Sequence, residues 1–195
     1  MKYFKIGILL FIAVSVNFAK NSWSLDKAHT KVAFSATHLV ISQVEGRFDS
    51  YDGKIITDGD DFENASIEFS ADVYSINTDN EKRDKHLKSD VFFNAEKFPK
   101  ITFKSESFRK TEDNNYKLVG DLTIRDITKK VTLDAKLNGI IEDPWGNTRV
   151  GFTVSGVENR FDFGLKWNAM LETGGLVVGK DIILDINLEL IKDKI

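Results

Sequence analysis

The sequence predicts an all-β domain, built either as a closed antiparallel barrel or as a two-sheet sandwich. Apolar and polar residues alternate along most of the chain, which is the pattern of strands with one buried and one exposed face. Clusters of Asp, Asn and Gly separate the alternating segments and indicate turns. About eight such strands need either closure into a barrel or a second sheet to bury their apolar faces.

Residues 1–19 predict a secretory signal peptide. Two lysines precede an apolar run from Ile6 to Val16, and Ala19 offers a small residue for cleavage. The run is shorter than the roughly 20 residues that span a bilayer, which favours a signal peptide over an uncleaved anchor. Its removal takes away two of the 27 basic residues and none of the 30 acidic ones, which leaves a net charge of −5. We expect a mature domain over 20–195, periplasmic or secreted, with no transmembrane segment.

The strands are predicted from period-two alternation. In one of them Ile67, Phe69 and Val73 share a face, and polar residues share the other. The eight alternating segments are 30–42, 44–57, 65–74, 100–108, 116–125, 130–142, 148–157 and 181–191. An eight-stranded barrel can be filled by side chains or can enclose one small ligand, and the alternation alone leaves both arrangements open.

One short helix is predicted near 79–89. Thr78 and Glu81 have the spacing of a capping box, and the polar run that follows has Leu87 as its one large apolar residue. An aromatic segment comes next, with Phe92, Phe93 and Phe98. This segment either lines the mouth of the barrel or anchors the helix to the core, and the sequence leaves both interpretations open.

The composition excludes several classes of function. The absence of Cys excludes a disulfide framework, a Cys-ligated zinc site, an iron–sulfur cluster and a Cys nucleophile. The slightly acidic charge balance disfavours a dedicated nucleic-acid binder, which usually carries a basic face. The chain also lacks a Gly-rich phosphate loop and a Gly-x-Ser-x-Gly elbow.

Three histidines remain as candidates for chemistry. His38 alternates with Phe34 and Ala36, so we predict that it points inward, where it either forms a core hydrogen bond or meets a ligand head group. His86 lies in the polar helix and is predicted to be solvated. Since no His and carboxylate spacing matches a zinc motif, we expect no metal and no catalytic residue. An enzyme that modifies a lipid head group with His38 or His29 stays as an alternative.

Residues 84–105, which read DKHLKSDVFFNAEKFPKITFKS, resemble the signature of the YceI-like family of polyisoprenoid-binding, lipocalin-like proteins. That signature joins an Asp-x-His-Leu-basic-Ser stretch to Phe-Phe, an aromatic-Pro pair and a Thr-Phe-x-Ser strand. Further segments that match the family are 23–26, 44–48, 120–125 and 159–164. The resemblance spans about 22–191, which is nearly the whole mature chain.

The resemblance implies an eight-stranded antiparallel lipocalin-like barrel with a long apolar cavity that binds isoprenoid or other long-chain amphiphilic lipids. The leading hypothesis is therefore a carrier, scavenger or store of such a lipid, and not an enzyme. The expected ligand is an isoprenoid lipid or a quinone, with no other cofactor and no nucleic-acid partner, and a homodimer is left open. Besides the enzyme, a stress-linked interaction protein with an incidental cavity remains as an alternative.

We expect the ligand to contact inward strand residues and the aromatic segment after the helix, with His38 at its head group. The predicted ligand-binding residues are Phe34, Ala36, His38, Ile67, Phe69, Val73, Phe92, Phe93, Phe98, Phe103, Leu122, Ile124, Leu133, Leu137, Phe152, Val154, Leu184 and Ile186. For each wall residue the alternative is an ordinary place in a filled core.

Overall fold

A computed structural model describes residues 20–59, 61–169 and 176–194, so the predicted signal peptide lies outside the described residues. This part of the chain is mostly β-structure. Its elements are β1 (Lys20–Leu25), β2 (Lys31–His38), β3 (Ser42–Phe48), β4 (Tyr51–Asp58), β5 (Asp61–Asp72), β6 (Ile76–Asn77), α1 (Glu81–Lys88), β7 (Lys100–Lys110), β8 (Asn115–Ile124), β9 (Ile127–Glu142), β10 (Thr148–Asn159) and β11 (Val178–Lys192). Two 3₁₀ turns, Val73–Ser75 and Arg160–Phe163, complete them.

These strands form eight continuous barrel segments, because three segments are each interrupted by a bend. Both β1 and β2 pair with β11 on one side. On their other side, β1 pairs with β4 and β2 pairs with β3. In the same way, β4 then pairs with β5 and β3 pairs with β6. Each segment pairs with the next along the chain, and β11 returns to β1 and β2. The prediction of an eight-stranded antiparallel barrel is therefore confirmed. Closure removes the free edges that an open sheet would expose.

The up-and-down path gives the barrel two distinct ends. The connections that follow β2, β6, β8 and β10 lie at one end, which we call the open end. The connections after β4, β7 and β9 lie at the other, the closed end, where β1 begins and β11 finishes. The longest connections, including the one that carries α1, therefore meet at the open end.

The predicted helix is present as α1, but its cap differs from the prediction. Asn80, not Thr78, is the N-cap, and its side-chain oxygen accepts a hydrogen bond of 3.0 Å from the backbone N–H of Arg83. Thr78 is buried and donates instead to the carboxylate of Asp84, at 2.5 Å. It thereby holds the helix onto the end of the barrel. No helix among the described residues is long and apolar enough to cross a membrane.

An ion network outside the cavity fastens the bend between β1 and β2 to the closed end. Arg149 donates hydrogen bonds to Asp26 (2.6 Å), Asp143 (2.6 Å) and Glu189 (2.5 Å). Asp143 also accepts from two backbone N–H groups and so organises the turn between β9 and β10. Burial alone would raise the pKa of Asp143, but its hydrogen bonds from Arg149 and the turn outweigh burial and hold that pKa well below its usual range.

This network should make the fold sensitive to acid. Hydrogen bonds from His29 and then Arg149 lower the pKa of Asp26 from 3.8 to about 2. The unfolded carboxyl keeps the higher value, so the stabilisation is present above pH 3.8 and is lost as the pH falls through about 2. The pH dependence that His29 contributes has the opposite sign. Hydrogen bonding to Asp26 raises the pKa of His29, so its contribution to stability is lost as the pH rises.

We expect urea unfolding midpoints to drop between pH 5 and pH 2.5 in the native protein. Arg149→Met should lower the midpoint at both pH values and shrink the difference between them. Lys117→Met is a suitable control, because the ion pair of Lys117 with Asp134 is exposed and lies outside the network. An Arg149→Met variant that keeps the full acid dependence would show that the network does not cause it.

Candidate functional site

The barrel is hollow, which resolves the question that the alternation left open. A cavity of about 590 Å³ occupies its interior, a volume within the range of roughly 300–1,000 Å³ found for ligand sites. Nearly all of the side chains that line it on the strands are aliphatic or aromatic. The cavity reaches from α1 at the open end to a group of aromatic rings near the closed end.

Closely packed aromatic side chains form the floor of the cavity. Phe62, Phe108 and Phe152 line it, with Trp23 and Tyr116 packed behind them. Ring centroids are 5.0 Å apart for Trp23 and Phe62, 5.1 Å for Phe62 and Phe152, and 4.6 Å for Phe108 and Tyr116. These separations are typical of favourable aromatic pairs. All five residues are at most 4% exposed, so the floor seals the closed end.

Three glycines let large side chains lie against the wall instead of projecting into the cavity. A methyl group added at Gly46 would come within 2.4 Å of the Phe34 ring, and one at Gly156 within 2.4 Å of the Leu133 side chain. A methyl group at Gly120 would meet the ring of Phe103 at 2.5 Å. Because each glycine provides the space that a neighbouring side chain occupies, the centre of the barrel stays open.

Gly156→Ala should therefore reduce the cavity. The new methyl group would push Leu133 off the wall. We expect the affinity for a long apolar chain to fall about fivefold. Overpacking should also lower the free energy of unfolding by roughly 1–3 kcal/mol. Gly151→Ala is the matched control on the same strand, since its nearest neighbour would lie at an ordinary 3.5 Å. Binding of an apolar fluorophore, measured for both variants, tests this. Equal affinity in both would contradict the role of Gly156.

The open end is covered by α1 and by the aromatic segment that follows it. Phe92 and Phe93 are buried and line the cavity, and they also pack in a cluster with Val73, Ile76 and Leu165. Both interpretations of the aromatic segment are thus correct for these two residues, which line the mouth and anchor the helix. The backbone supports the arrangement, because the N–H of Phe93 donates to the carbonyl of Leu87 at 3.0 Å.

His86 has an environment that the sequence did not predict. Instead of being solvated, its ring lies edge-on to Trp167 with centroids 4.6 Å apart, 5.9 Å from Phe92, and it lines the cavity. Its predicted exposure is wrong because the helix lies across the mouth, an orientation that tertiary contacts set. No alternation or spacing in the sequence would have shown it.

Arg160 fixes the connection between β10 and β11. Its side chain is only 2% exposed, and its guanidinium donates to the carbonyls of Leu165, Trp167, Val178 and Gly179. These contacts tie both ends of the connection together. Burial lowers the pKa of Arg160, which is the cost of holding a cation in this place.

Most of the predicted ligand-binding residues lie along the cavity, including His38. Three do not. Val73 sits in a 3₁₀ turn, which breaks the alternation and directs it into the cluster beside Phe92. Leu137 packs against the core, next to a register shift between β9 and β10. Phe98 lies outside the cavity, where the cations of Lys97 and Arg125 cover its ring at 5.1 and 5.7 Å.

His29 and His38 are not brought together. The side chain of His29 is 62% exposed outside the cavity, where its Nδ1 lies 2.9 Å from Asp26. The length of β2, roughly 23 Å at about 3.3 Å per residue, separates it from His38. Asp26, His29 and Glu189 form the one group among the described residues with the spacing of metal ligands. Arg149 already binds both carboxylates, and its charge would oppose a metal ion there.

Glu158 is another cavity residue that the sequence analysis missed. On β10 it follows Phe152, Val154 and Gly156 at two-residue intervals, so its side chain points inward, and it lines the cavity. Extending the alternation of this strand by a few positions would have found it. Burial, and then the nearby carboxylate of Asp162, raise the pKa of Glu158.

Comparison with known proteins agrees with this architecture. The family model of the YceI-like domain matches residues 23–190. A UPF0312 protein of Staphylococcus aureus (strain N315) is 40% identical over 169 residues, which are 86% of this chain and 96% of that protein. The crystal structure of a Campylobacter jejuni YCEI protein is 32% identical with a TM-score of 0.68, covering 87% of this chain and 97% of the other.

A more distant structure shares the fold. It is described as a polyisoprenoid binding domain from Saccharophagus degradans, implicated in plant cell wall breakdown. Its TM-score is 0.68 at 16% identity, covering 88% of this chain and 98% of the other. The barrel, the match over 23–190 and the relative at 40% identity lead to one conclusion: the protein belongs to the YceI-like family.

Proposed function

We propose that the protein binds an isoprenoid or another long-chain amphiphilic lipid in its cavity and acts as a carrier, scavenger or store. The observation that carries this proposal is the cavity of about 590 Å³, lined by apolar side chains and sealed by aromatic rings at one end. Such a shape suits a flexible hydrocarbon tail that enters from the open end. Membership of a family with a relative named for polyisoprenoid binding supports the same ligand class.

The energetics require no reactive residue. A tail that buries roughly 400 Å² of apolar surface would gain on the order of 10 kcal/mol, at about 25 cal/mol per Å². Association costs at least about 4 kcal/mol, so a net gain of at most about 6 kcal/mol is expected, which corresponds to a Kd of some tens of micromolar. Phe and Leu side chains suit such a wall because they offer large apolar area and leave no polar atom unsatisfied.

Binding accounts for the placement of the histidines better than catalysis does. His38 and His86 line the open end of the cavity, where a head group would lie, whereas His29 is held outside by Asp26. In the enzyme alternative, His38 or His29 acts as acid or base, and His29 lies outside the cavity in which a substrate would be held. Head-group contact by His38 remains our prediction for that residue.

Native mass spectrometry of protein purified without detergent tests the proposal. We expect a bound amphiphile that organic solvent extracts, and the same spectrum reports whether the chain is a monomer or a dimer. Leu184→Asp places a carboxylate in the wall and should abolish binding, while Asp185→Asn on the outer face of the same strand should retain it. A native protein that carries no amphiphile and takes up none when C20 lipids are added would refute the proposal.

We also propose that the protein works in the periplasm or outside the cell. The support is the pattern of residues 1–19, in which lysines precede a short apolar run and a small residue. N-terminal sequencing of the protein recovered from the extracytoplasmic fraction should begin at Lys20. Recovery of the chain with Met1 in the cytoplasmic fraction would contradict export.

A further inference from the structure

The connection between β2 and β3 ends in an exposed apolar tip. Val40 is 63% exposed and Ile41 is 86% exposed, which is the largest exposed fraction among the large apolar side chains of the described residues. Between Lys31 and Glu45 the chain carries no Asp, Glu, Lys or Arg. Neighbouring apolar side chains that are exposed to water mark interaction sites, and a tip without charge fits a partner that is itself apolar where the two meet.

The backbone of this tip is strained. The angle φ is 51° at Leu39 and 66° at Val40, in the left-handed region that a β-branched residue rarely adopts. A two-residue turn with positive φ at both positions usually carries Asn-Gly, which is polar and avoids this strain. The turn is nevertheless held in place, since the N–H of Ile41 donates to the carbonyl of His38 at 3.2 Å. The chain keeps Val40 both strained and in contact with water, which indicates a role other than folding.

The tip adjoins the mouth of the cavity. The N–H of Leu39 donates to the carbonyl of Val177 at 2.9 Å, and the N–H of Val177 donates at 3.0 Å to the residue two positions after Trp167. Trp167 is 36% exposed, and both it and Val177 line the cavity. Val40, Ile41 and Trp167, which we call the apolar rim, therefore lie beside the opening through which a lipid would pass.

Charged side chains near the apolar rim carry both signs. Lys82 is exposed on α1, and Lys166 is exposed next to Trp167. Glu81 and Asp162 are exposed acidic residues at the same end. A surface of mixed sign provides no strong long-range attraction for a polyanion or a polycation. The apolar side chains of the rim therefore decide which partner this end contacts.

The size and composition of the apolar rim favour a bilayer over a protein. A stable protein interface buries about 800 Å² on each partner, which three side chains do not supply. Two aliphatic side chains on a hairpin tip, with a Trp and a Lys beside them, instead have the composition that enters the boundary between head groups and acyl chains.

We propose that the apolar rim inserts into the surface of a phospholipid bilayer, so that the mouth of the cavity faces the membrane while a lipid enters or leaves. An isoprenoid tail that crossed open water would expose the apolar area that both the bilayer and the cavity bury, and docking removes this barrier. The inference rests on the proposed lipid-binding function and adds to it the surface with which the protein exchanges its ligand.

Flotation with phospholipid vesicles measures the docking. The native protein should bind vesicles of phosphatidylcholine, and addition of phosphatidylglycerol should change the binding little, because the charges near the rim have both signs. The double variant Val40→Asn with Ile41→Ser should bind at least about tenfold more weakly, since burial of one such side chain is worth about tenfold.

Two further variants separate docking from folding. Asn tolerates positive φ, so Val40→Asn alone should have a urea unfolding midpoint equal to or above the native one while it binds vesicles more weakly. Trp145→Ser is the control for an exposed apolar side chain, because Trp145 is 76% exposed in the turn between β9 and β10 at the closed end. This variant should bind vesicles as the native protein does.

Release of a pyrene-labelled isoprenoid alcohol from the protein to vesicles tests the consequence for exchange. The release rate of the native protein should rise with vesicle concentration, because contact with the bilayer limits it. The double variant should take up the alcohol with native affinity, since Val40 and Ile41 do not line the cavity. Its release rate should be slower and independent of vesicle concentration, because the alcohol then has to leave through water.

Native vesicle binding by the double variant would overturn docking through the apolar rim, and so would loss of binding in Trp145→Ser. Binding only to vesicles that contain phosphatidylglycerol would overturn it as well, since adsorption by charge would then suffice. A dimer that depends on Val40 and Ile41, without vesicle binding, would assign the rim to a second copy of the chain. All these results leave the proposed function in place if the labelled alcohol enters the cavity. A native protein that takes up none would refute that function instead.

Discussion

Arg160→Ala should lower the free energy of unfolding by about 4 kcal/mol, the largest effect expected of any single polar side chain in this barrel. The native guanidinium satisfies the carbonyls of Leu165, Trp167, Val178 and Gly179 in a place that is 2% exposed. Each buried carbonyl that loses its donor costs about 1–3 kcal/mol, and water that enters would recover part of the sum. Urea unfolding followed by circular dichroism measures the loss.

The aromatic contacts of Arg160 give this variant a second readout. Its guanidinium lies 4.5 Å from the ring centroid of Phe161 and 5.7 Å from that of Phe92, and it holds the backbone of Trp167 in place. We expect the Trp emission of Arg160→Ala to shift to longer wavelength as the Trp167 ring gains solvent. Arg160→Lys keeps the charge but cannot reach four carbonyls, so it should recover less than half of the lost stability.

A free energy of unfolding of Arg160→Ala within about 1 kcal/mol of the native value would contradict this role of Arg160, because that is the contribution of one ordinary hydrogen bond. That outcome would mean that the two strands on either side of the connection hold it without the guanidinium.

Phe152→Ala should have a comparable effect at the opposite end of the cavity. Phe152 is 4% exposed and contacts the rings of Phe62, Phe108 and Tyr116 at centroid distances of 5.1, 5.8 and 6.1 Å. Removal of a buried Phe side chain costs about 3–5 kcal/mol, because burial is lost and a void is left. Thermal unfolding should show a correspondingly lower midpoint.

The void in Phe152→Ala would deepen the cavity, since Phe152 forms part of its floor. We therefore expect the variant to prefer a longer chain than the native protein when offered isoprenoid alcohols of graded length. Phe152→Leu is the control, as it keeps most of the volume and should retain the native length preference. An unchanged length preference in Phe152→Ala would show that the floor does not limit the ligand.

The alternation predicts the eight barrel segments because most inward positions are apolar. The first half of the first segment escapes the pattern, since β1 buries Asn21, whose amide donates to the carbonyl of Gly59 at 2.7 Å. A pattern of alternating apolar residues does not reveal a buried polar residue whose hydrogen bond is satisfied inside the protein. The bend at Val73 is invisible for a similar reason, because a 3₁₀ turn changes which face a side chain takes.

The hollow interior depends on packing contacts that the alternation of apolar and polar residues does not show. Whether Leu133 fills the centre or lies on the wall depends on the side chain opposite, and there Gly156 leaves room. The helix across the mouth is similar, since the placement of His86 follows from its contacts with Trp167 and Phe92. The sequence assigns Leu133 to a strand and His86 to the helix, but only the three-dimensional packing shows that both line the cavity.

The seam between β1 and β11 has a consequence for how the protein folds. Trp23 lies opposite Lys192, and the backbone N–H of Asp193 donates to the carbonyl of Ser22, so this pair joins residues that are about 170 positions apart. Each of the other segment pairs joins consecutive parts of the chain and can form as a local hairpin. Since closing a long loop costs more entropy than closing a short one, we expect the seven hairpin contacts to form early and the ring to shut last.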